Sequence, residues 1–235
     1  MYHTVERTAK ESDPMGLAVP EDIFIMQMEY LKRNGFNVIS LAELSENEKR
    51  DFPERSVAIT FDDGYKGVFS SALPVLKRFA FTATLFVSVD FIERKLPPDL
   101  YWSGWPTLTW DDIRELKKEG ISIGSHSVTH GRLDLMTGEA REKEVTGSKE
   151  IIGKKTGDTV DFFSYPHGSF NREVKEAVKK AGYRLAASSV EGINGADTDP
   201  FAVPRTEITA FDNTERKFEL KLSGCYDWLR GLRKR

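Results

Sequence analysis

The chain has 235 residues, 39% of them hydrophobic, and a formal net charge of −3. That is apolar side chain enough for one sizeable core, and it offers no basic field for a phosphate backbone, so nucleic acid is not an expected partner. A single cysteine, Cys225, rules out an internal disulfide; with no apolar run near the ~20 residues that span a bilayer and no apolar leader at the start, the chain as written reads as cytoplasmic.

Past a polar opening, Pro20 and the acids Glu21 and Asp22 start an amphipathic helix that stops at Gly35. A short strand is expected over residues 37–41, then a polar loop to Pro53. Residues 55–64 alternate as a strand, with Val57, Ile59 and Phe61 on one side, and end in two aspartates and Gly64. Residues 68–80 read as a helix although Pro74 sits badly inside one, and residues 82–89 as a β-branched strand. Thr109 caps a helix with Asp112 completing the box and Ile113 and Leu116 facing inward. Then follow a strand at 121–126, a charged amphipathic helix at 138–157, a strand at 161–166, a helix at 171–182 and a strand at 183–188. Strand and helix alternating in this way predict parallel strands in an α/β domain spanning residues 1–235, a barrel rather than an open sheet because polar clusters fall at the carboxyl ends of several strands. No glycine-rich phosphate loop appears.

Three of those clusters carry chemistry: TFDDG at 60–64, HSVTH at 126–130 and SYPHG at 164–168. A barrel brings strand ends to one rim, and two imidazoles with one carboxylate make a common ligand set for a catalytic divalent ion with an open position. His126 and His130 converge if the backbone turns between them, four residues being about one helical turn. Adjacent aspartates on an extended strand point to opposite sides, so Asp62 and Asp63 are expected to divide two tasks, one binding metal and the other handling protons. Alone, each cluster has an ordinary alternative, a surface histidine pair or a turn; their common placement at strand ends is what favours a metal site.

In this order and spacing the motifs resemble those of the polysaccharide deacetylases, the NodB-homology group of carbohydrate esterase family four. The likeness extends to LKRNGFNVISLAEL, ALPVLKRFAFTATLFV and VKKAGYRLAASS, and so covers nearly the whole chain. It implies a distorted (β/α) barrel of about seven strands and hydrolysis of an N-acetyl group on an amino sugar, with acetate released. By the same resemblance Asp63, His126 and His130 are the metal ligands and Asp62 the general base. The third motif, with Tyr165, Pro166 and His167, forms the substrate side, and the His167 peptide N–H serves as an oxyanion donor. Zinc is the expected ion, with cobalt, nickel and iron compatible with the same ligands.

The chain departs from the family where many members carry an arginine, here Ser164, and an aromatic residue, here His167, and no histidine follows His167 to act as the late general acid. His3, in an opening MYH that resembles an early tyrosine-histidine in part of the family, is the expected acid, with His167 the alternative. Arg205 in VPRTEI is the expected substitute for the missing arginine, paired with Asp62 and keeping it ionised and oriented. Trp102 and Trp105, in a loop with Tyr101 and Trp110, are candidate sugar platforms, whereas Trp110 is expected in the core. The basic, partly apolar end at 226–235 could rest weakly on an anionic membrane surface. A metal-dependent hydrolase of another C–N or ester bond, and a saccharide-binding protein without catalysis, are the competing readings.

Overall fold

The computed structural model describes residues 1–7, 13–47, 51–95 and 104–224. Tyr101, Trp102, Cys225 and the basic end at 226–235 lie outside them. Among the described residues no helix is long and apolar enough to cross a membrane.

A short parallel pair, β1 (Thr4–Glu6) and β2 (Ala18–Pro20), leads into α1 (Glu21–Arg33). Two acids in the first turn and Lys32 and Arg33 in the last complement the helix dipole, and Phe24, Met28 and Leu31 fill the core. The expected strand at 37–41 is cut short: β3 (Asn37–Val38) pairs with β4 (Ser56–Val57), while Ser40 caps α2 (Leu41–Glu46) in a reciprocal box with Glu43. A cap residue ends the strand because its hydroxyl accepts the Glu43 N–H, which sets a helical start.

The centre is a parallel sheet in the order β5 (Thr60–Phe61), β6 (Thr84–Val87), β7 (Ser122–Ser125), β8 (Phe162–Ser164) and β9 (Leu185–Ala187). All of β6 is buried, as the run Leu85–Val87 requires of a strand covered on both faces. α3 (Leu73–Phe79), α5 (Trp110–Lys118), α6 (Gly138–Thr156) and α7 (Arg172–Lys180) alternate with these strands, α4 (Val89–Ile92) is a single turn after β6, and α8 (Glu215–Leu222) packs near α1. Pro74 is accommodated because α3 starts at Leu73, after a π-helical turn over Val68–Ala72, so the ring falls in the first turn.

The sheet has five strands, not about seven. Where two more would close the barrel, the chain makes isolated bridges: Tyr2 beside Phe61 on one edge and Val203 beside Ala187 on the other. These segments join each other through Met1 N to the Thr206 carbonyl and Ile208 N to the Met1 carbonyl, both at 2.9 Å. Pro204 has no N–H to give to a longer ladder. The two ends of the chain thereby carry His3 and Arg205 to the edges of the same sheet.

Candidate metal centre and active site

β5 ends at Phe61, and the two aspartates leave it in different conformations. Asp63 has φ +73° and Gly64 φ +113°, a bend in which a Cβ at position 64 would lie 2.7 Å from Ile92. The strand alternation expected of the pair therefore does not hold: the backbone turns at Asp63, and both carboxylates reach the same imidazole. His126 Nε2 lies 3.9 Å from Asp62 Oδ2 and 3.5 Å from Asp63 Oδ1.

No helical turn joins His126 to His130. The loop has φ +66° at Ser127 and +59° at His130, conformations that cost an L residue on the order of 1–3 kcal/mol each. Side chains replace the missing helical hydrogen bonds. Ser125 Oγ accepts the Ser127 N–H at 3.3 Å, and Ser127 Oγ accepts that of His130 at 3.1 Å. Glu144, on α6, accepts the Val128 and Thr129 N–H groups at 2.9 Å and the Thr129 hydroxyl at 2.7 Å. Sequence reasoning missed this residue, although its signal was there: Glu144 stands four residues before Ser148 on the stripe that α6 buries, where a carboxylate needs partners.

The result is a compact donor set. One ligand atom from each of Asp63, His126 and His130 falls within 4.8 Å of the others. His130 Nε2 lies 3.2 Å from Asp63 Oδ1, yet that oxygen is buried with no aligned hydrogen-bond partner. A buried carboxylate oxygen facing two imidazole nitrogens is what an ion would satisfy, so these residues fit a divalent metal. His126 Nδ1 donates to the Ser164 carbonyl at 2.8 Å, which leaves Nε2 with its lone pair toward Asp63. Burial pushes His126 down to about 4, the neutral form a metal requires. Burial opposes charge on His130 as well, but the adjacent Asp63 carboxylate outweighs it and raises that imidazole. Asp63 in turn is held at about 2: burial works against its charge, and His130, His3 and His126 overcome it.

Asp62 has different company. Both Asp62 and Asp63 are 2% exposed, and Arg205 is 8% exposed. Arg205 forks onto Asp62, Nη1 to Oδ1 at 2.8 Å and Nη2 to Oδ2 at 2.7 Å. Its remaining donors go to Thr60 Oγ1, Ser164 Oγ and the Ser188 carbonyl, so every guanidinium N–H is used. Ser164 fits between the partners, accepting from Arg205 and donating to Asp62 at 3.1 Å. Burial disfavours charge on Asp62, but Arg205, then His126 and His3, reverse this and hold the carboxyl well below the usual carboxylate range. An arginine supplied from beyond β9 thus meets Asp62 where Ser164, at the third motif, has no charge to offer.

The other expected site residues are distributed unevenly. His3 lies close enough to act on both carboxylates, with Nδ1 3.9 Å from Glu207 Oε1. His167, at φ +56°, sets its ring 4.6 Å from that of His130, and its Nε2 contacts the His130 carbonyl at 3.2 Å. Its peptide N–H is unspent among the described residues. Pro166 is buried beside it. Tyr165, expected on the substrate side, is withdrawn: its ring is buried against Phe163 and Phe170, its hydroxyl donates to the Phe201 carbonyl at 2.9 Å and its N–H to Ala187. Trp105, expected as a sugar platform, is buried as well. At 7% exposed, it packs with Ala18, Tyr65 and Phe91, and Phe91 backs His130 at 5.5 Å. Trp110 packs against the core, as expected.

The comparisons agree with this geometry. A family model described as polysaccharide deacetylase matches residues 49–186. The chain belongs to the polysaccharide deacetylase family. The Bacillus subtilis protein YxkH is 30% identical over 213 residues, covering 89% of this chain and 70% of its own. The poly-β-1,6-N-acetyl-D-glucosamine N-deacetylase of Staphylococcus epidermidis is 26% identical over 93% of this chain and 81% of its own. A Bacillus cereus polysaccharide deacetylase structure superposes with a TM-score of 0.79 at 25% identity, covering 94% of this chain and 67% of that one. This member of the family is a carbohydrate N-deacetylase, a metal-dependent hydrolase that frees acetate from an N-acetylated amino sugar.

Proposed function

We propose that the substrate is an N-acetylglucosamine residue within a β-1,6-linked polymer, that Asp63, His126 and His130 hold zinc, and that residues 1–235 act as one domain. The reading rests on one observation above the others: a carboxylate forked by a buried arginine stands beside a donor set of two imidazoles and a second carboxylate. The name of the Staphylococcus epidermidis relative supports the choice of polymer.

An ion held there supplies Lewis acidity, making water a stronger acid and an amide oxygen a better electron acceptor. Asp62, ionised by Arg205, takes the proton of the water that attacks the amide carbonyl. The His167 N–H donates to the oxygen on which negative charge develops. His3 hands a proton to the departing nitrogen, without which an amine leaves poorly, and Glu207 faces its ring. Arg205 does not touch substrate; it keeps Asp62 charged and aimed.

The test is acetate release from β-1,6-linked N-acetylglucosamine oligomers, with β-1,4-linked oligomers and a cyclic amide in parallel. Release from the β-1,6 series, lost with a chelator and restored by zinc, is the expected result. Hydrolysis of the cyclic amide alone would overturn the reading.

A further inference from the structure

Resting on the metal-site reading above, we propose that Glu144 is a positioning residue for the metal ligands, clamping the loop between His126 and His130 so that both imidazoles are set before an ion arrives. The loop has no secondary structure of its own. Its start is tied by the His126 N–H to the Val87 carbonyl at 2.8 Å, and its far end by His167 on the His130 carbonyl. Between these ties, the N–H groups of Val128 and Thr129 donate to Glu144 on α6.

Glu144 is buried, and among the described residues no ion pair uses it. Among the described residues its hydrogen bonds all go to the loop, from two backbone N–H groups and one hydroxyl, the arrangement in which backbone donors hold an anion. Helix α6 also buries Val145, Ser148 and Ile152. The opposite side of the loop is fixed too, since the Val89 and Asp90 N–H groups donate to the Ser127 and Val128 carbonyls. Glu144 completes that grip, and two residues in left-handed conformation persist between the clamps.

The experiment compares the full chain with Glu144→Ala, Glu144→Gln and Thr129→Val. Zinc affinity is read by competition with a chromophoric chelator, and exchange of the Val128 and Thr129 amides is read in the metal-free proteins. Glu144→Ala should lose roughly 10- to 100-fold in zinc affinity, the range for residues that orient ligands, with faster exchange at both amides. Glu144→Gln should retain most of the affinity, because one amide oxygen can take both N–H groups and the amide nitrogen can donate to the Thr129 hydroxyl. Thr129→Val should fall between them. If Glu144→Ala folds poorly, Glu144→Asp replaces it, keeping the charge while withdrawing the acceptor by one methylene. Unchanged affinity and unchanged exchange in the Ala or Asp variant would overturn the proposal. Absence of zinc binding in the parent would overturn the metal-site reading instead, and the exchange rates would still judge the clamp.

Discussion

Replacing Arg205 with methionine would strip Asp62 of its cation while filling much of the same volume. In the parent, both Asp62 oxygens accept from the guanidinium, and among the described residues only the Ser164 hydroxyl would still donate to them. Breaking a buried pair by removing one partner costs about 3–5 kcal/mol, because the other charge is left in a poor medium. Loss of aim and ionisation at the base should lower kcat/KM on the order of 10²- to 10⁴-fold. The pH behaviour is the sharper readout. Arg205 is the largest of the influences that lower the Asp62 carboxyl, so without it burial is opposed more weakly and the carboxyl titrates at higher pH. The acid limb of kcat/KM should therefore move upward. Since the folded Asp62 of the parent titrates below its unfolded value of about 3.9, its stabilising contribution is present above that pH and lost as pH falls through the folded value. The stability gap between parent and variant should accordingly be widest near neutrality and narrow in acid. The assays are acetate release against pH and denaturant unfolding at several pH values. A variant with parental kcat/KM, an unmoved acid limb and a pH-independent stability gap would refute the reasoning.

His3→Ala should lower kcat by a similar order and leave KM nearly unchanged; a parental kcat would move the acid role to His167. Tyr165→Phe should cost about 0.5–1.5 kcal/mol through the lost bond to the Phe201 carbonyl and leave kcat and KM alone, and a raised KM would show that Tyr165 does reach the sugar. Trp105→Phe should likewise lower the melting temperature without altering KM, since the ring packs inside the protein rather than against substrate.

The candidate ligands were legible in the sequence because each motif follows an apolar strand, so strand ends alone bring TFDDG and HSVTH to one rim. Their local geometry was not. Alternation predicts opposed aspartates, but it lapses where β5 ends at Phe61, and positive φ at Asp63, Ser127 and His130 has no compositional mark like that of Gly64. Arg205 could be proposed from what the third motif lacks, yet its fork depends on a bridge between Ala187 and Val203 that no periodicity announces. The strand count failed for the same reason, since the closing segments pair through isolated bridges. Aromatic residues misled in the opposite direction. Tyr165 and Trp105 occur where a sugar site was expected, but residue type does not reveal that both rings turn inward.

The central claim is that Asp62 moves the proton while Asp63, His126 and His130 hold the ion. Asp62→Asn tests it directly, with zinc content and acetate release measured on the same sample. Zinc content should be parental, with release slowed on the order of 10²- to 10⁴-fold. Full activity in this variant, or loss of zinc together with activity, would contradict it.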